Sequence, residues 1–306
     1  MKNIFAIFSL VGMLAHSQAL HAEIVWYPLP PEAYSFGKKY PDAQRLLFAF
    51  DYGHALVYER LLADRGNIKD PAKLEKEILS QIMVILKNPP NIKVDESDIA
   101  PNYVFTFPLT VSLFDWSHML HQFVLDVMAT TKDRRTVPKR IEELLEKYHS
   151  NTRVAITGAC KTMDFMDGHY FSKTFRQTFP SFNLLIWSYH WFQIKLYEAL
   201  MEQTEEDRDD EVKKVVAQFW KLLSDLPKSA PFEMMPMTAM EAPMFAIAFP
   251  NIPGAFDNNH MLHDIVSDIL VSDKVASDKI RGEGFRMARV AQDPEAYKSE
   301  MCGRHH

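Results

Sequence analysis

Cysteine and glycine are scarce in this chain, with two cysteines, Cys160 and Cys302, and ten glycines among 306 residues. Two thiols cannot staple a disulfide scaffold, and the absence of C-x-x-C-H excludes covalently attached haem. No G-x-S-x-G, H-E-x-x-H, P-loop or G-x-G-x-x-G occurs, which removes the commonest hydrolase and nucleotide-binding signatures. Basic residues are also in deficit, the formal net charge being −6 at pH 7, so there is no cationic stripe to displace counterions from nucleic acid or to hold an anionic bilayer. Beyond the N-terminus no uninterrupted apolar run is long enough to cross a membrane. Regular alternation of β-branched residues is missing as well, and helical spacing dominates.

What is present begins with Lys2, the apolar run "IFAIFSLVGMLA" and the polar, small-residue stretch "HSQALHA". This pattern predicts a signal peptide over residues 1–22, cut near positions 19–22, and hence a periplasmic or secreted protein without a transmembrane segment. Residues 23–306, with 47% hydrophobic residues in the chain as a whole, are expected to form a single α-helical domain around a substantial core. In an exported chain Cys160 and Cys302 would pair if the fold brings them close, and would otherwise be separate thiols.

Helix start and stop signals divide the chain. "DAQRLLFAFDYGHALVYERLLADRG" predicts a helix from an Asp42 cap to Gly66, and "DPAKLEKEILSQIMVILKN" one capped by Asp70 with Pro71 in its first turn. "PLTVSLFDWSHMLHQFVLDVMATT" and "FPSFNLLIWSYHWFQIKLYEALMEQ" are apolar on nearly every side, as central helices are. "TVPKRIEELLEKYHSNT" is amphipathic and reads as a surface helix capped by Thr136. The charge run Glu202 to Lys214 reads as a solvated helix end or turn. A Met- and Pro-rich stretch at 227–254 reads as a long loop, and "AFDNNHMLHDIVSDILVSDK" as the last long helix.

Two of these helices carry nearly the same phrase, "FDWSHMLHQFVLD" from Phe114 and "FDNNHMLHDIVSD" from Phe256, with eight of thirteen positions identical. The match points to internal duplication. A shorter copy, "FDYGH", lies in the first helix, and the central helix offers "IWSYH". At 100° per residue, Asp115, His118, Gln122 and Asp126 share one stripe, as do Asp257, His260, Asp264 and Asp268, and Asp51, His54 and Tyr58. The central helix gives Trp187, His190, Ile194 and Glu198. The expected fold is therefore an all-α multi-helix bundle with four central histidine-bearing helices.

Helices apolar all round must bury these polar groups, and buried carboxylates persist where they pair, hydrogen-bond or hold a metal. Asp and His three positions apart point into the same space, as in helix bundles that build metal sites from facing helices. The pattern predicts His54, His118, His190 and His260 as metal ligands, with Asp51, Asp115 and Asp257 as ligands or as carboxylates orienting the imidazoles. Asp264 and Asp126 are the candidate catalytic bases. His121 and His263, one position off the stripe, read either as extra ligands or as partly exposed neighbours, the second preferred. The implied cofactor is one or two divalent ions, zinc or iron, with haem and copper as lesser alternatives, the latter suggested by methionines at 234, 235, 237, 240 and 244. The implied partners are a metal ion and a small-molecule substrate.

"LHDI" at Leu262 to Ile265 resembles the His-Asp core of the HD-domain metal-dependent phosphohydrolases. The spacing of His260 and Asp264 is similar to one ligand pair of the secreted zinc phospholipases C and their nuclease relatives. Both resemblances imply metal-assisted phosphoester hydrolysis; the later Asp of the first pattern and the N-terminal Trp of the second are not matched. Three functions follow: a metal-dependent, phosphoesterase-like hydrolase; a di-iron oxidoreductase, in which the D-x-x-H units carry Asp where ferritin-like sites carry Glu; and a non-enzymatic metal, haem or interaction protein whose Asp and His only fix helix register.

Overall fold

A computed structural model of the protein describes residues 33–157, 163–224 and 235–293. The expected signal peptide at 1–22, both cysteines, Met234 and the first part of the Met/Pro-rich stretch lie outside the described residues. Within them the chain is all α-helical, with no strand. The helices are α1 (Ser35–Lys39), α2 (Pro41–Ala63), α3 (Pro71–Lys87), α4 (Glu96–Ile99), α5 (Pro101–Thr106), α6 (Pro108–Thr130), α7 (Val137–Ser150) and α8 (Asp164–Asp167). They continue as α9 (Thr174–Thr178), α10 (Pro180–Ala199), α11 (Glu205–Ser224), α12 (Thr238–Glu241), α13 (Pro243–Ala248), α14 (Pro253–Val271) and α15 (Ile280–Gln292).

Proline sets many of these boundaries. It opens α2, α3, α5, α6, α10, α13 and α14, where its fixed φ suits the first turn and its missing N–H costs no hydrogen bond. The residue before a proline is pushed out of the α region, and Tyr40, Phe107 and Phe179 obey, each breaking a short helix from the long one that follows. Asp42 consequently sits in the first turn of α2 instead of capping it. Asp70 caps α3 as expected, accepting from the Lys73 N–H at 3.0 Å, and Gly66 takes the left-handed φ of 75° just past α2. Thr136 gives α7 no side-chain cap. The charge run supplies the first turns of α11, and the stretch expected as loop to Gly254 holds α12, α13 and the start of α14.

At the centre, α2 and α6 each pack against both α10 and α14. Helices from the two halves of the chain thus alternate around one interior. The outer layer is α3 against α2 and α10, α11 against α10 and α2, α7 against α6, and α15 against α14 and α6. No helix among the described residues is long and apolar enough to cross a membrane.

The two halves use the same capping devices. Asp126 on α6 accepts from the backbone N–H groups of Tyr34 and Phe36 at 2.8 and 2.7 Å. Asp268 on α14 accepts from those of Lys173 and Phe175 at 2.8 and 2.7 Å. Tyr34 and Lys173 are the non-glycine residues with positive φ among those described, at 61° and 71°, a conformation that a side chain makes costly. Each carboxylate offsets that cost by satisfying donors at the start of a short helix. Glu59 likewise accepts from the Tyr103 N–H at 2.9 Å, and Glu198 from the Phe245 N–H at 3.1 Å, at the starts of α5 and α13.

Candidate metal centre

The alternation of α2, α10, α6 and α14 brings six imidazoles into one interior: His54, His118, His121, His190, His260 and His263. Rings of His54 and His263 lie 4.7 Å apart edge to face, those of His54 and His190 5.9 Å, and those of His118 and His263 5.5 Å. His190 and His260 stack nearly parallel at 3.9 Å. His54, His190 and His263 each present one ring nitrogen within 4.8 Å of the others. Nitrogens on a tetrahedral zinc ion stand ~3.3 Å apart, so the three would have to draw closer to share one.

His263 corrects the sequence expectation. It is 1% exposed, and His121 6%, so neither is a partly exposed neighbour. An all-round apolar helix has no exposed face to offer, and the same property that buries His260 buries the residue one turn on. The signal was present in the doubled "HMLH", whose second histidine recurs as faithfully as the first.

Burial controls the protonation of the cluster. His54, His190 and His263 are driven well below the ordinary imidazole value, first by burial and then by neighbouring imidazoles. Burial lowers His260 to about 3 and, with Lys93 adding repulsion, His118 to about 4. All are therefore neutral at physiological pH and keep the lone pair a metal needs. Nine of their nitrogens are buried without a hydrogen-bond partner: both of His54, His118 and His263, and one each of His121, His190 and His260. Native interiors rarely tolerate this, because each unsatisfied group costs about 1–3 kcal/mol.

The carboxylates are placed differently from one another. Asp51 Oδ1 lies 3.6 Å from His118 Nδ1. Burial pushes Asp51 up to about 6 while His118 stays neutral, so at neutral pH the contact is not an ion pair. Asp115 is half-buried and bonds Lys93 Nζ at 3.1 Å. Asp257 accepts from the N–H and hydroxyl of Thr238 at 3.0 and 2.6 Å, fastening α12 to α14. Asp126 is engaged as the α1 cap. Asp264 is partly exposed, and burial followed by repulsion from Asp268 raises it to about 7. The structure thus brings the predicted histidines together and sets Asp51 beside His118, on which Asp115 also acts electrostatically, while Asp257 bonds Thr238 and Asp126 the α1 turn.

Two small cavities bounded by described residues reach the cluster. One, of about 20 Å³, is lined by Gln44, Asp51, Lys93, His118, His121 and Gln193 among others. The second, of about 10 Å³, is lined by Arg176, Asn183, Trp187, His190, Met235 and Asp264 among others. Each is of the order of a single water.

Compared with protein-family models, curated proteins and solved structures, the chain shows no match.

The depressed histidines give a pH signature in metal-free protein. An unfolded histidine protonates near 6.5, whereas folded His260 resists protonation to about 3, so below 6.5 the unfolded state binds more protons and is favoured. A glutamine at this position cannot protonate in either state. As pH falls below 6.5, the wild type should lose up to about 1.4 kcal/mol per pH unit relative to His260→Gln. Urea unfolding of both proteins at successive pH values measures this difference. A difference independent of pH would show that His260 titrates alike in both states.

Proposed function

We propose that this chain is an exported metalloprotein that binds a divalent transition ion, zinc foremost, through His54, His190 and His263. The observation that carries the reading is the set of nine buried, unpartnered imidazole nitrogens, three of them converging. A purely structural polar network would spend these atoms on hydrogen bonds to its carboxylates. Instead, among the described residues, His118 alone of the six imidazoles comes within ion-pairing distance of an Asp, at 3.6 Å. Imidazole-only donors suit zinc, copper, nickel or iron among divalent ions.

Held by His54, His190 and His263, a divalent ion would supply Lewis-acid activation of water. This supports metal-assisted hydrolysis as the chemistry. A ferritin-like di-iron centre needs inward-facing carboxylates, and Asp115 and Asp257 are turned to Lys93 and Thr238. The rings of Phe50 and Phe114 sit 4.0 and 3.7 Å from His54 and His263, filling flanks that a porphyrin would occupy. The leader pattern of residues 1–22 supports export, tested by the mass of the mature protein. The paired caps support internal duplication.

Elemental analysis of the purified full-length mature protein tests the metal reading. The expectation is close to one equivalent of transition metal, with a melting temperature that falls on chelation and returns on adding zinc. A metal-free protein whose melting ignores both treatments would sink it.

A further inference from the structure

The ligands of the triad sit deep in the bundle, and a hydrated cation must shed water to reach them. Of the cavities bounded by described residues, the smaller one includes a triad member, His190. Its lining is graded. Asn183, Trp187, Arg176 and Asp264 are partly exposed, whereas Met235 is 5% and His190 1% exposed. Asp264 lies one helical turn from His260 on α14 and therefore on the same face, and His260 stacks on His190 at 3.9 Å. His260 Nδ1 is buried and unpartnered. A carboxylate at the rim, an unpartnered imidazole one turn inward and a triad imidazole against it form a continuous series of donors.

Resting on the metal reading above, we infer that this opening is the route by which the cation enters, passing from Asp264 to His260 and on to His190 in the triad. No covalent bond changes; one donor replaces another as water leaves, and neutral His260 releases no proton when it binds. The larger cavity differs in the features that matter. It reaches His118 and His121 instead of the triad, and it holds the partly buried Lys93 ammonium, whose charge Asp115 and Asp51 keep above the ordinary lysine value against the opposing effect of desolvation. The smaller opening also contains a cation, Arg176, ion-paired with Asp167 as Lys93 is with Asp115, so the two openings differ in the imidazoles they reach. Met235 adds a thioether, a soft donor with no charge to trap a passing ion.

The test is stopped-flow uptake of cobalt(II) by chelator-stripped full-length protein in mildly alkaline buffer, following cobalt absorbance for rate and final stoichiometry. Asp264→Asn should slow uptake by roughly tenfold, the low end of what favourable charge placement adds to an on-rate, while the final occupancy matches the wild type. Asp264→Glu should restore the rate, and Lys93→Gln, in the other cavity, should leave it unchanged. Equal rates in the wild type and Asp264→Asn would overturn the route. So would a loss of final occupancy in Asp264→Asn with an unchanged melting curve, which would make Asp264 a ligand. Should the wild type take up no cobalt at all, the metal reading itself fails and the route with it, an outcome distinct from both.

Discussion

Replacing His263 by alanine is expected to abolish tight metal binding, with affinity falling by more than roughly a hundredfold, beyond the 10- to 100-fold typical of groups that only orient a ligand. In the metal-free protein the sign reverses. His263 is buried at 1% exposure with neither ring nitrogen hydrogen-bonded, so a leucine of similar bulk removes two desolvated polar atoms and adds apolar contacts. Replacing a buried polar group that has no partner by an apolar one is neutral or stabilising. The metal-free His263→Leu variant should therefore melt no lower than metal-free wild type. A structural network predicts the opposite, since losing a bonded member would strand its partners. Calorimetric titration with zinc and metal-free melting of the two variants check both halves. A His263→Ala protein that binds zinc as tightly as wild type, or a His263→Leu protein several kcal/mol less stable, would count against the site.

The second large effect concerns carboxylates away from the triad. Asp126→Ala would leave the N–H groups of Tyr34 and Phe36 unsatisfied, and Asp268→Ala those of Lys173 and Phe175. At roughly 1–3 kcal/mol for each stranded group, each substitution should destabilise the protein by about 4 kcal/mol. Zinc stoichiometry should be unchanged, because neither carboxylate approaches the triad. Chemical denaturation of the two variants side by side also tests the duplication, which requires the two costs to be similar. A large cost at one position and none at the other would contradict equivalence of the halves.

These residues show which parts of the molecule were legible in the sequence. The long helices could be read because proline, Asp70 and Gly66 mark their ends in local chemistry, and the central position of α6 and α10 followed from their lack of a polar face. Convergence of His54, His118, His190 and His260 was legible for the same reason, since an all-round apolar helix has nowhere but the interior to put an imidazole. The fate of the carboxylates was not. Asp126 and Asp268 lie on the same stripe as the histidines, yet a helix about 35 Å long, at 1.5 Å per residue over the 23 residues of α6, carries its ends far from its middle. A stripe fixes direction around the axis and leaves the partner at each level to tertiary packing. What the Asp126 end meets is the left-handed turn at Tyr34, whose positive φ at a tyrosine has no local sequence signal. The place of His263 was left open by a single stripe, because a buried helix contributes ligands from a wider arc.

The most direct test of the central claim is X-ray absorption spectroscopy of the zinc-loaded protein. The account predicts a first shell containing three imidazole nitrogens at about 2.0–2.1 Å, with the outer-shell scattering of histidine rings, no sulfur, and one further light atom at the open position. Loss of one imidazole contribution should accompany whatever residual binding His263→Ala retains. A shell made mainly of carboxylate oxygens, or one with sulfur, would place the ion elsewhere and contradict a centre built from His54, His190 and His263.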